Sequence, residues 1–261
     1  MRSGIQQLTE IAAGAETLRL FLDYDGTLAE FAPSPDTVLP DEAVIGLLER
    51  LVAAGGVLPA VISGRRLAHI QKLLPVPGLL LAGTYGIEMR LPDGQRCELL
   101  PFGQVRPLLE RLLPRWQALI AGREGFYLED KGWSLALHGL HAAPDEGEAV
   151  MAAARNEACT LDFGEDFRLL GGDRFLELAP RAAGKSAAVR RVLREMTPPG
   201  ALCVYLGDDD KDEEAFETVL AAGGHAVRVS ARPVETLARF RLAGPQQVRA
   251  WLDELLTARS Y

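Results

Sequence analysis

Cysteine is scarce and poorly placed for covalent structure. Cys97, Cys159 and Cys203 are odd in number, lie far apart and form no Cys-x-x-Cys pair, so neither a disulfide framework nor a zinc cluster is expected. That usage fits a reducing cytoplasm. No run of about 18 apolar residues occurs anywhere, and the opening MRSGIQQLTEIAAGAETLRL carries early acidic residues and no sustained apolar stretch. The expectation is a soluble cytoplasmic protein with no membrane partner. Positive charge is also short: 28 Lys and Arg against 36 Asp and Glu leave a net charge of −8. Nucleic acid and anionic lipid are gripped by clustered Lys and Arg that displace counterions, so neither is an expected partner. Any phosphate-bearing ligand must find a local positive pocket. His69, His141 and His225 have no metal spacing, His138 reads as a satisfied structural histidine, and internal repeats and low-complexity tracts are absent.

What is present is enough for a sizeable core: 48% of the 261 residues are hydrophobic and 25% charged. Short apolar runs ending in glycine or polar turns alternate with segments of helical period, the pattern of a parallel sheet wound with helices. LRLFLDY reads as a first strand. A Pro-rich loop, FAPSPDTVLP, leads to a helix from about Asp41 whose Val44, Leu47, Leu48 and Leu51 recur at three and four residues. VLPAVIS and GLLLAG read as further strands, and YGIEMRLPDGQRCELL, with Pro92-Asp93-Gly94 at its middle, as a hairpin. From 103 to 178 the order becomes helix, strand, strand, helix, strand, strand, which suits a small antiparallel sheet with helices on one face. The βα rhythm then returns. The fold class expected is α/β, a doubly wound parallel-sheet core formed by 1–102 and 179–261, with an inserted smaller α+β domain at 103–178. Ligands of such sheets bind beyond the carboxyl ends of the strands.

Asp23-Tyr24-Asp25-Gly26-Thr27 stands at such an end. A rigidly placed Asp can attack phosphorus, and a second Asp can protonate a leaving alkoxide. Gly26 permits a sharp turn, and Thr27 offers a hydroxyl and an amide to phosphate oxygens; the plainer reading is an Asx turn closing a strand. Gly207-Asp208-Asp209-Asp210-Lys211-Asp212-Glu213-Glu214 follows a later strand and opens a helix. Acids there are ordinary caps, yet so many side by side repel one another, and oxygen ligands from two strand ends suit octahedral magnesium. Ser63 ends the strand VLPAVIS and can donate to a phosphate oxygen or simply cap a helix. Lys185, at a helix start in AGKSAAV, can neutralise phosphate; the string is not a Walker loop, because Ala179 stands where glycine is required.

Taken in order, DxDGT, Ser63, Lys185 and GDDxxD resemble the haloacid dehalogenase superfamily of phosphotransferases, and the insertion between Ser63 and Lys185 lies where that superfamily places one class of cap domain. The resemblance implies that Asp23 attacks phosphorus to form an aspartyl phosphate, while Asp25 protonates the departing oxygen and later activates water. It implies Mg2+ held by Asp23, the Asp25 backbone carbonyl and Asp208. Ser63 and Lys185 would bind the transferring group, with Asp212 orienting Lys185 or a metal-bound water.

Longer strings narrow the likeness. DYDGTLAEFAPSPDTVLP, AVISGR, LAGTYGIE, YLEDKGWSLALH and GDDDKDEEAF are similar to those of the trehalose-6-phosphate phosphatase family. Family resemblance implies a sugar-phosphate substrate, with Glu129, Lys131 and Glu177 of the cap gripping sugar hydroxyls, and with Gly26, Thr27, Gly64 and Arg65 completing the substrate-binding set on the core. The chain departs from the family strings at Tyr85, where His is usual; at Gly139-Leu140, where Tyr-Arg often follows His138; at Asp173, where a cap lysine is common; and at Lys211, where Thr is usual. These bear on the sugar and leave the reaction class intact. Two alternatives are a phosphatase for glucosyl- or mannosyl-3-phosphoglycerate or an amino-sugar 6-phosphate, and a catalytically inactive regulatory relative. The sequence says nothing of oligomeric state.

Overall fold

The computed structural model describes residues 4–31, 38–161, 163–171 and 174–260. The chain divides into two compact units, Met1–Cys97 with Gly184–Tyr261, and Glu98–Ala183. In chain order the first unit contains α1 (Gly4–Gly14), β1 (Leu18–Leu22), α2 (Glu42–Ala53), β2 (Val57–Ile62), α3 (Leu67–Leu73), β3 (Leu80–Gly83), a 3-10 turn (Thr84–Gly86), β4 (Glu88–Arg90) and β5 (Arg96–Glu98). The second holds α4 (Phe102–Ile120), β6 (Tyr127–Asp130), β7 (Leu135–His138), α5 (Pro144–Thr160), β8 (Phe167–Gly171) and β9 (Phe175–Pro180). The first unit resumes with α6 (Lys185–Met196), β10 (Leu202–Gly207), α7 (Asp210–Ala221), β11 (His225–Val229), β12 (Phe240–Leu242) and α8 (Pro245–Arg259).

The first unit is built on a sheet of order β12-β11-β10-β1-β2-β3-β4-β5, parallel from β12 to β3. All five residues of β1 are buried, as expected of a central strand covered on both faces. Alternate side chains feed two cores. Leu18, Leu20, Leu22, Val57 and Val61 pack with residues of α2 and α8 on one face; Phe21, Ala60 and Ile62 pack with residues of α6 and α7 on the other. This is the expected doubly wound fold. Arg19, the one charged residue of β1, is buried and satisfied by Thr197 Oγ1 at 3.1 Å, the Leu58 carbonyl at 2.9 Å and the Met196 carbonyl. The chain leaves β1 toward β2 on one side and reaches β10 on the other, so the sheet's topological switch point lies at β1.

The hairpin is present as well. β4 runs antiparallel to β3, and Gly94 closes the turn after it at φ 86°, its N–H donating to the Leu91 carbonyl at 2.9 Å. Residues 32–37 of the Pro-rich loop lie outside the described residues. Two elements carried no sequence signal: α1, with only Leu8 and Ala12 buried, and β12, a three-residue strand.

The second unit is a four-stranded antiparallel sheet of order β6-β7-β9-β8. Leu135, Leu137, Leu176 and Leu178 share one buried face, while α4 contributes Val105, Leu109, Leu112 and Trp116 at helical spacing. Trp116 donates from its indole to the Ala154 carbonyl of α5 at 2.9 Å, tying the two helices together. The three tryptophans are anchors: Trp133 reaches the Leu100 carbonyl and Trp251 reaches Thr9 Oγ1. Among the described residues no helix is long and apolar enough to cross a membrane.

Candidate active site

Strand register determines which side chains converge. Leu22 of β1 is level with Val61 of β2 and Leu206 of β10. One step further Asp23 leaves the sheet, its N–H still donating to the Leu206 carbonyl at 3.0 Å, and Ser63 and Asp208 emerge from the neighbouring strands just beyond it. The chain then turns sharply: the Tyr24 carbonyl accepts from Leu28 and Ala29, and Gly26 takes φ 78°. A Cβ at Gly26 would sit 2.2 Å from Asp208 Oδ2, so this close approach of two loops requires glycine.

Asp23, Asp208 and Asp212 each present a carboxylate oxygen, and these atoms all lie within 4.8 Å of one another. Thr27, fully buried, sets its hydroxyl between Asp23 Oδ2 at 3.4 Å and Asp208 Oδ1 at 3.3 Å. Lys185, the first residue of α6, is almost fully buried and lies 2.9 Å from Asp23 Oδ1, 2.7 Å from Asp212 Oδ1 and 3.5 Å from Asp209 Oδ1. Asp212 is saturated. Its Oδ1 also accepts from the Tyr205 hydroxyl at 2.8 Å, and its Oδ2 accepts the backbone N–H groups of Asp208 and Asp209, both at 3.1 Å. Asp209 caps α7 by accepting from the Asp212 N–H at 3.0 Å. The acidic string is thus partly a helix cap, the plainer reading, and partly a convergent cluster.

Burial pushes the Asp23 carboxyl up to about 7; Lys185 opposes the shift, while Asp208 and Asp209 add to it. Asp208 rises to about 6, again chiefly through burial. Asp212 rises to about 7 for the same reason, with Lys185 acting against it. Burial also works against the charge on Lys185, but Asp23 and Asp212 outweigh it and hold the ammonium well above the ordinary lysine range. One buried cation is therefore shared among carboxylates that resist ionising together. Two neighbouring oxygens on Asp23 and Asp208, short of positive charge, form a donor set that fits a hard divalent cation.

Asp25 is placed differently from Asp23. Arg65 clamps it through two hydrogen bonds, Nε to Oδ2 and Nη2 to Oδ1, each 2.7 Å, so its carboxylate belongs to a separate bidentate pair. Ser63 is buried and its Oγ accepts the Arg65 N–H at 3.1 Å, a local turn; it does not cap α3, whose N-cap is Arg66. Gly64 lies under the Tyr85 ring, where a Cβ would come within 2.7 Å of ring atoms. Asp209 and Tyr205 complete the cluster without having been singled out in the sequence; Asp209 was visible within the acidic string, whereas a tyrosine inside an apolar strand gives no such sign.

In the second unit, β6, β7 and β9 align Glu129, Ala136 and Glu177 across one sheet face, the small alanine leaving room between two acids. Glu177 is fully buried; its Oε1 accepts from Ser134 Oγ at 2.8 Å and Lys131 Nζ at 3.2 Å. Lys131 lies 3.8 Å from Glu129, which also pairs with His138 at 3.1 Å. Glu129, Lys131 and Glu177 thus form one connected set. Leu140 is 67% exposed, and its carbonyl accepts from Arg174 at 3.1 Å. Asp173 lies outside the described residues.

A profile of the family described as Trehalose-phosphatase matches residues 21–246. The chain is 34% identical over 255 residues to the trehalose-6-phosphate phosphatase of Escherichia coli (strain K12), covering 97% of this chain and 92% of that one. It is 32% identical to the trehalose-phosphate phosphatase of Mycobacterium avium (strain 104), with 90% of this chain covered and 61% of that longer protein. Its fold is similar to that of the C-terminal domain of the C. albicans trehalose-6-phosphate phosphatase, with a TM-score of 0.84 at 21% identity, covering 98% of this chain and 97% of that one.

Proposed function

The chain belongs to the trehalose-phosphatase family of phosphoric monoester hydrolases, and from that premise we propose that it releases phosphate from trehalose 6-phosphate in the cytoplasm, with Asp23 as nucleophile and Mg2+ as cofactor. The observation that carries this reading is the convergence of Asp23, Asp208 and Lys185 at the carboxyl ends of β1, β10 and the start of α6. Asp23 Oδ attacks phosphorus as the bond to the sugar oxygen breaks, and Asp25, which first parts from the Arg65 clamp and takes up a proton from solvent, gives that proton to the departing oxygen. Asp25 then takes a proton from water, whose oxygen displaces Asp23 from phosphorus and regenerates the free carboxylate. Lys185 and the Ser63 hydroxyl hold phosphoryl oxygens, which stay anionic throughout and need positioned donors. Asp212, saturated by its own donors, fixes Lys185. Thr27, with Gly26, keeps the Asp23 and Asp208 loops in register.

Mg2+, held by Asp23, Asp208 and the Asp25 carbonyl, would supply charge neutralisation of the phosphoryl group. The sugar hydroxyls fall to Glu129, Lys131 and Glu177, whose connected acceptors and donor discriminate a polyol better than apolar fit could. Retention of Asp23, Asp25, Ser63, Lys185 and Asp208 disfavours an inactive regulatory role. The test is phosphate release from trehalose 6-phosphate and from a panel including glucosyl-3-phosphoglycerate and glucosamine 6-phosphate, with and without MgCl2. Preference for trehalose 6-phosphate with Mg2+ is expected; release from none of the panel removes the reading, and preference for another member moves the substrate.

A further inference from the structure

The segment after β3 carries backbone strain with no role in the chemistry above. Thr84 and Tyr85 take positive φ values of 47° and 54°. That left-handed conformation is strained for a non-glycine residue and persists only where the surroundings enforce it. Here it turns the Tyr85 ring back over Gly64, where a Cβ would meet ring carbons and the hydroxyl at 2.7–2.8 Å. The Tyr85 N–H is held by the Ser63 carbonyl at 2.9 Å. From the first turn of α7, Lys211 donates to the Tyr85 hydroxyl at 2.6 Å, its ammonium 4.5 Å from the ring centroid and within cation–π range. Two positions at which the sequence departs from the family strings therefore touch, although 126 residues separate them.

The charge around them gives the contact a purpose. Lys185 is shared among Asp23, Asp209 and Asp212, and Arg65 is engaged by Asp25. A phosphoryl dianion arriving beside Ser63 meets mostly negative groups, and the Lys211 ammonium is held at the Tyr85 hydroxyl, which lies over Gly64, the residue after Ser63. We propose that Lys211 binds the phosphoryl group and that Tyr85 is the positioning residue that aims it. The proposal rests on the phosphatase reading for its ligand but is tested on inorganic phosphate, which does not depend on the sugar.

Binding of inorganic phosphate is measured by calorimetry in saturating MgCl2, alongside KM and kcat for trehalose 6-phosphate. Lys211→Met should weaken phosphate by about tenfold and raise KM by a similar factor while kcat falls less. Lys211→Arg should restore most of the affinity. Tyr85→Phe keeps the ring over Gly64 and loses only the hydroxyl, and should weaken phosphate by about threefold. The double variant should be no weaker than Lys211→Met, because Tyr85 acts through the lysine. Wild-type affinity in Lys211→Met, or additive losses in the double variant, overturns the proposal; should Lys211→Met fail to fold, wild-type affinity in Tyr85→Phe does so. Phosphate binding that behaves as described, with no turnover of trehalose 6-phosphate, counts against the substrate and in favour of the Lys211 role.

Discussion

Asp23 and Lys185 form a buried ion pair that the proposed reaction uses and that the fold must also stabilise. Asp23→Asn removes the proposed nucleophile while preserving shape, so phosphate release should fall by about 10^4-fold or more with an unchanged circular dichroism spectrum; comparable turnover would remove Asp23 from that role. Lys185→Met leaves Asp23 and Asp212 buried without their shared cation, a loss of about 3–5 kcal/mol that a urea titration would read. Most of these residues were legible in the sequence because they follow apolar strands in order. Tyr205 was not, since its hydroxyl acts from inside a strand that reads as core. The bidentate Asp25–Arg65 pair was equally hidden: a spacing of 40 residues carries no signal until β1 and β2 lie side by side.

The strands and helices explain which parts of the fold could be read and which could not. β2 and β10 are continuous apolar runs closed by polar turns, β1 is apolar apart from Arg19, and α2 has its stripe of Val44, Leu47, Leu48 and Leu51. The short β12 and the weakly patterned α1 are positioned by neighbours, as when Trp251 of α8 reaches Thr9; local pattern cannot report such tertiary support. On the face of β6, β7 and β9, the Glu129 carboxylate is held by His138 and Lys131. Glu129→Gln keeps the shape and removes the charge, so KM for trehalose 6-phosphate should rise about tenfold, with a smaller rise for an aryl phosphate lacking the sugar. Equal changes for both substrates would assign Glu129 a structural role instead.

For the folded chain as one thermodynamic system, the raised carboxyls of Asp23, Asp208 and Asp212 set a pH dependence of definite sign. Their folded values near 7, 6 and 7 exceed the unfolded value of 3.8. Across the window from about pH 4 to 7 the folded state binds more protons than the unfolded chain, so this cluster makes stability fall as pH rises. Chelator-treated protein should therefore have a lower denaturation midpoint at pH 7.5 than at pH 5.5, and Asp208→Asn should flatten the slope. MgCl2 should restore stability, and more strongly at the higher pH, because a cation favours the ionised carboxylates. A midpoint that rises across this interval in the chelated protein, unaffected by Asp208→Asn, would mean that the cluster is not under the strain inferred for it.

The most direct test is a calorimetric titration of the chelator-treated protein with Mg2+, repeated on Asp23→Asn and Asp208→Asn. If the loops after β1 and β10 hold one ion between them, the wild-type chain binds a single Mg2+ and either substitution weakens that binding by about tenfold or more. Wild-type affinity in either variant would contradict a shared ion and, with it, the convergence on which the proposed chemistry depends.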